Sequence, residues 1–483
     1  MTLRRRFLAA IALLALSACA RPAPPTDPQY VAQWLRSSLS FVRSERLGPP
    51  VAARVSAYGA VALYEGFAAD SLSGLRTLAG QLNGLATLPV PTDGAVDGGI
   101  VAAEAERIVL DSLFRDGFAG TRRSIDSLAK AQVAGRTAAG VDDARRDRSL
   151  AHGRTLGAAV LAWAATDGFF DTRTRSWSPP VRRDQWENTV TQDQFIPLML
   201  SGESDLVAPA NPGVTMDLER AGERFVFSNR PKNSAGTTLP TFNRVRPTEP
   251  FWGELRPFVI ADGDECRPPA PPAYSEAPGS DFWKMGRAFA DSMAALTPEK
   301  KQTALFWADN PVATGTPGFH WISVVNQMIA RRHLSAPQAA ELFALTSVAI
   351  ADAFIGCWKE KYRSLVVRPV AYMHRVFDPD FTTVIPTPPF PEYSSGHSVQ
   401  SAAAVQVLIA LVGDTVAFSD STQVDVGQPP RDFANFSAAR NDVAISRIYA
   451  GVHYVPAVVD GIDQGVCIGN RVLERLKTRP VTP

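Results

Sequence analysis

Histidine and cysteine are scarce: the 483 residues hold 6 of one and 4 of the other. The cysteine spacings match no zinc-ligand pattern, which excludes the common structural zinc folds. Three cysteines, Cys266, Cys357 and Cys467, lie beyond the N-terminal segment. In an oxidising compartment two of them can pair and leave one over; buried free thiols are an equal alternative. Net charge is lacking too, with 49 Lys and Arg against 48 Asp and Glu. No global field then draws the chain to nucleic acid, and none is expected as a partner. Alternating strand patterns are few, which disfavours a sheet-based fold. Past the N-terminal segment no run of about 18 uninterrupted apolar residues occurs, so no spanning helix is expected.

What is present starts with "MTLRRRFLAAIALLALSACA". Arg4 to Arg6 form a positive region and Phe7 to Leu16 a short apolar run, the pattern of an export signal. Leu16-Ser17-Ala18-Cys19 resembles the bacterial lipoprotein cleavage box, and Arg4-Arg5 before Phe7-Leu8 resembles a twin-arginine signal. The expectation is a periplasmic-face or surface lipoprotein tethered through Cys19. Ala20 after it favours the outer membrane.

Residues 1–19 are thus read as signal and 20–29 as a proline-rich linker. Residues 30–280 form an N-terminal region, helical to about 170 and then rich in proline, glycine and arginine. That second part is expected as ordered loops with short helices packed over the bundle. Residues 281–483 form a C-terminal helical bundle interrupted by proline-rich loops. Apolar residues at three- and four-residue intervals make the fold class all-α.

Three clusters in the C-terminal region combine positive charge with imidazole. In "KYRSLVVRP", Lys361 and Arg368 are seven residues apart, nearly two turns on one helical face, with Pro369 expected to end that helix. In "FPEYSSGHSVQ", a helix is expected to start near Ser394 or Ser395, with Gly396 letting an anion approach free backbone N–H groups. In "SRIYAGVHY", Gly451 can turn the chain so that Arg447 and His453 meet. Alone, each cluster fits a blander reading: a solvated basic face, an ordinary serine cap, a stray arginine beside a core histidine.

Together, K-x6-R-P, S-G-H and S-R-x5-H stand in the order that resembles the type 2 phosphatidic acid phosphatase superfamily, which includes the vanadium-dependent haloperoxidases. The resemblance implies a cradle of Lys361, Arg368, Ser395, Gly396 and Arg447 around a tetrahedral oxyanion. It implies His453 as the vanadium ligand or phosphorus nucleophile and His397 as acid–base. The positive pocket should lower both imidazole pKa values and keep His453 neutral. The cofactor is then vanadate, with hydrogen peroxide and a halide as substrates. The alternative is a phosphohistidine acid phosphatase acting on phosphate monoesters, and a third reading is an oxyanion-binding lipoprotein without turnover. Trp358 and Phe390 match aromatic pocket positions of haloperoxidases, and Asp309 in "FWADN" loosely matches an acid that partners the site. A homodimer is common in the family.

Two departures stand out. Ser394 replaces the usual proline, and Ala457 stands where many members place an Asp that orients the nucleophilic histidine; Asp460 is the nearest acid. Gly461, Gly465 and Gly469 repeat every four residues, a stripe for close helix packing. His152, His320, His333 and His374 match no motif and read as surface or satisfied core histidines.

Overall fold

The computed structural model describes residues 24–173, 175–189, 247–309 and 315–480. The export signal, Cys19 and most of the expected loop between 171 and 280 lie outside the described residues. The rest is mainly helical, as the periodicity requires. The N-terminal helices are α1 (Gln29–Ser44), α2 (Pro49–Ala68), α3 (Gly98–Leu113), α4 (Ala119–Ala138), α5 (Asp143–Ala164) and the short α6 (Phe169–Arg173). The C-terminal helices are α7 (Asp281–Ala294), α8 (Pro298–Phe306), α9 (Pro317–Arg331), α10 (Ala336–Ser364), α11 (Pro369–Val376), α12 (Gly396–Val412), α13 (Phe436–Tyr449) and α14 (Val455–Arg475). Between α12 and α13 a small antiparallel hairpin pairs β1 (Phe418–Asp420) with β2 (Arg431–Phe433), Phe418 opposite Phe433.

Helix α10 is the spine. Ser335 and Gln338 form a capping box at its start, and it packs on α2, α12 and α14. Among the described residues it is the one segment apolar and long enough to cross a membrane, yet its apolar window is wholly buried in the protein. One continuous apolar core runs from Val31 of α1 to Leu476 after α14, so the N- and C-terminal helices share an interior.

The glycine stripe on α14 is a packing seam, as its spacing predicts. A methyl group on Gly465 would stand 2.1 Å from the Val399 carbonyl oxygen of α12, and one on Gly461 3.0 Å from Ser398 Cβ. The seam brings the start of α14 against the start of α12. A disulfide joins Cys266 to Cys467 of α14, leaving Cys357 as a buried thiol. Residues 247–280 lie over α10: Thr248 accepts hydrogen bonds from Trp358 Nε1 at 3.0 Å and the Tyr362 hydroxyl at 2.7 Å.

Candidate oxyanion site

The site is built in the links between helices. Helix α10 carries Trp358 and Lys361 in its last two turns and ends at Ser364, where Leu365 adopts a left-handed conformation with φ 48°. Arg368 is therefore not on the helix of Lys361, as the seven-residue spacing predicted. It is the extended N-cap of α11, with Pro369 at the first helical position, where its missing N–H costs nothing. The left-handed turn at Leu365 folds Arg368 back toward α10, so the two cations still converge. Ser395 is the N-cap of α12, its hydroxyl accepting from Ser398 N–H. The N–H groups of Gly396 and His397 are then among those with no partner inside the helix. Arg447 ends α13, and Gly451, with φ 82°, turns the chain to place His453 before α14.

Lys361, Arg368, Ser395, Arg447 and His453 are all buried. Lys361 Nζ donates to the carbonyls of Pro391 at 3.0 Å, Glu392 at 2.9 Å and Ser394. It therefore ties the Phe390–Ser395 loop to α10 and brings charge rather than a free proton. Arg368 donates through Nε to Phe390 O at 2.9 Å and through Nη1 to Val452 O at 2.8 Å. Its Nη1 also lies 3.3 Å from His453 Nε2. Arg447 Nη1 donates to Trp307 O at 2.9 Å. Burial, the largest cause in each case, lowers the pKa of Lys361 to about 8, of Arg368 to about 9 and of Arg447 to about 10.

The His453 tautomer follows from its neighbours. A guanidinium only donates, so Nε2 facing Arg368 accepts, and Nδ1 carries the proton. That proton goes to Glu392 Oε1 at 2.9 Å, which also accepts from Tyr454 N–H at 2.9 Å. Burial and the charges of Arg368, Lys361 and Arg447 hold the His453 pKa well below its ordinary value. Burial pushes Glu392 up to about 7, against the opposing pull of Arg368. The arrangement leaves a neutral imidazole with its Nε2 lone pair turned to the cations. His397, with 13% of its side chain exposed, is more open; its Nε2 stands 3.6 Å from Asp309 Oδ2. Burial and Arg447 lower its pKa to about 4. Both imidazoles thus shift in the expected direction, with burial ahead of the cations as the cause.

Trp358 and Phe390 meet with ring centroids 5.0 Å apart, and Phe390 lies 5.0 Å from the Arg368 guanidinium and 5.2 Å from Lys361 Nζ. The aromatic pair walls the cationic side. Asp460, the acid nearest to His453 in sequence, instead accepts from the Tyr393 hydroxyl at 2.9 Å. The carboxylate on His453 is Glu392, which sequence reasoning missed. Its signal in the sequence is a lone charge between Pro391 and Tyr393 in "PPFPEY". Asp309 does sit at the site, while His320 is a core histidine held by Asp309 and Asp420. His152 is half-buried, and exposed His374 donates from Nε2–H to the Phe381 carbonyl at 2.8 Å.

Arg368 Nη2, Arg447 Nε and His397 Nε2 are among the buried polar atoms that lack a hydrogen-bond partner among the described residues. Orphaned donors on two guanidiniums, beside an imidazole lone pair, are what a vanadate or phosphate would satisfy. The residues therefore fit the group that the motif implies.

Residues 341–480 match the VCPO second helical-bundle domain family. The solved structure of a bacterial vanadium-dependent iodoperoxidase superposes with a TM-score of 0.75 at 29% identity, over 95% of this chain and 98% of that one. The chain has the vanadium haloperoxidase fold. An apo-type bacterial vanadium-dependent chloroperoxidase shares that fold, with a TM-score of 0.60 at 15% identity over 89% of this chain and 94% of the other. Vanadium chloroperoxidase of Curvularia inaequalis is 30% identical over 149 residues, 26% of this chain and only 24% of that relative's length. The matched family domain, residues 341–480, carries Lys361, Arg368, Ser395, Gly396, His397, Arg447 and His453.

Proposed function

We propose that the chain binds vanadate between Arg368, Arg447, Ser395, Gly396 and His453 and oxidises a halide with hydrogen peroxide. The carrying observation is the pair of orphaned arginine donors, Arg368 Nη2 and Arg447 Nε, next to the fixed Nε2 lone pair of His453. The chemistry that bound vanadate supplies is Lewis acidity toward peroxide. The chain's own residues do the rest. Glu392 holds the His453 proton on Nδ1, and the two arginines neutralise the guest. His397, more open than the others and neutral at physiological pH, accepts a proton from incoming peroxide. Overall, the halide gives two electrons to the peroxide O–O bond, one proton is consumed, and hypohalous acid and water leave.

A second reading remains in play because of Glu392. The missing Asp at position 457 would have left the His453 tautomer unset; Glu392 sets it, as a phosphohistidine mechanism also requires. In that reaction, under acidic conditions that protonate His397, His453 Nε2 forms a bond to phosphorus, the ester P–O bond breaks, His397 protonates the leaving oxygen, and water later releases phosphate. The test is to load the purified protein with orthovanadate and assay iodide, bromide and chloride oxidation beside nitrophenyl phosphate hydrolysis. Halide oxidation that phosphate inhibits supports the first reading. Metal-free ester hydrolysis that vanadate inhibits supports the second. Vanadate affinity without turnover would make the chain a binding protein.

We further propose that the chain is exported and lipid-anchored through Cys19. The N-terminal signal pattern supports this, and the Cys266–Cys467 bond fits an oxidising compartment.

A further inference from the structure

We propose that His320 is a positioning residue for both His397 and Arg447, acting as an imidazolium clamped between Asp309 and Asp420. The inference rests on the oxyanion-enzyme reading of the site, and no motif includes His320. The geometry that carries it is symmetrical. His320 Nδ1 lies 2.7 Å from Asp309 Oδ1, and Nε2 lies 2.7 Å from Asp420 Oδ2. A carboxylate oxygen only accepts, so a neutral ring would point one lone pair at an oxygen at contact distance. Two protons on the ring remove that conflict, and all three groups are buried. The Trp307 ring covers the imidazole, its centroid 4.3 Å away, a favourable face for a cation. In keeping with this, the two carboxylates lift the His320 pKa to about 10 against the opposing effect of burial.

The clamp matters for what it holds. Asp309 Oδ1 is occupied by His320 and by the Gln423 amide at 2.9 Å. The carboxylate is thereby rotated so that Oδ2 faces His397 Nε2. Asp309 itself has φ 48°, a left-handed conformation that costs a non-glycine residue energy and needs support from its surroundings. Two residues earlier, the Trp307 carbonyl takes the Arg447 proton. One short segment, Trp307 to Asp309, thus sets both the acid–base histidine and a cradle arginine, and His320 touches both ends of it. Asp420 closes the clamp from β1, its other oxygen accepting from Thr422 N–H at 2.9 Å. The charged and titratable groups facing His397 are Arg447 from α13, His453 before α14, Asp309 after α8 and, beyond it, His320 from α9.

The test uses the full-length protein and two variants, His320→Gln and Asp420→Asn. Nitrogen-15 NMR of the histidine rings, on protein without vanadate at pH 8, should show His320 with both ring protons. H320Q should shift the His397 ring signal and lose affinity for orthovanadate, measured by calorimetry, by about 10- to 100-fold. Its kcat should fall with a nearly unchanged halide KM, a split that a mere loss of stability would not produce. D420N, which spares the Asp309 contact, should lose less. If H320Q does not fold, D420N and the ring protons of the wild type still decide. A singly protonated His320 at pH 8, or wild-type vanadate affinity in H320Q, would overturn the proposal. A wild-type protein that binds no orthovanadate sinks the reading of the site instead, and the ring protons then still report on the clamp.

Discussion

At His453 the proton positions follow from Arg368, which can only donate: Nε2 accepts from it, and Nδ1–H goes to Glu392. Removing the acceptor should therefore hurt more than removing its charge. Glu392→Ala leaves a buried N–H unpaired, a penalty of about 1–3 kcal/mol, and frees the tautomer. Activity and orthovanadate affinity should drop by about 10- to 100-fold. Glu392→Gln keeps an oxygen for Nδ1–H and should retain more of both, as steady-state kinetics and calorimetry will show. A second prediction concerns His320. Its folded pKa, about 10, lies above the ordinary 6.5. Its stabilising effect is therefore complete below about pH 6.5 and fades as the pH climbs toward 10. The gap in melting temperature between wild type and H320Q should narrow over that range.

The sequence placed the seven motif residues together because their types and spacings are themselves the signal. It did not place Glu392 or Asp420. Glu392 reaches His453 across 61 residues, and Asp420 reaches His320 across 100, distances at which no helical period survives. Local spacing points to an acid one or two turns along α14, at position 457 or at Asp460. The acid came instead from the loop before α12.

At the scale of elements, the periodic helices, the cap at Ser395, the turn at Gly451 and the glycine seam all follow from local rules. The link from α10 to α11 does not. A leucine in the left-handed region carries no sequence mark, and the helix stops five residues before the proline that was expected to stop it. The seam gives a sharp prediction. Gly465→Ala would drive a methyl group into the Val399 carbonyl at 2.1 Å, so α14 must move off α12. The cost should be at least about 1–3 kcal/mol by thermal or urea unfolding. Because His453 immediately precedes α14, orthovanadate affinity should fall as well. Unchanged stability would mean the two helices are not seated as described.

For the molecule as a whole, the Cys266–Cys467 bond closes a span of 201 residues, pinning the segment that covers α10 to α14. Three cysteines allow three pairings, so sequence left this one open. Replacing both cysteines by serine should lower stability by about 2–5 kcal/mol. Vanadate binding at 25 °C should survive, since neither sulfur touches the cradle. Lys361 adds a global pH limit. Burial brings its pKa down to about 8, so its positive charge is lost above that pH. Orthophosphate affinity should decline above about pH 8 in the wild type, and Lys361→Met should flatten the decline.

Every residue proposed to meet the guest stands where one helix hands over to the next: Arg368 before α11, Ser395 and Gly396 at the head of α12, Arg447 and His453 on either side of one turn. Rods make the frame, and joints make the chemistry. A substitution at a joint should therefore change what the site does while leaving the helical frame packed.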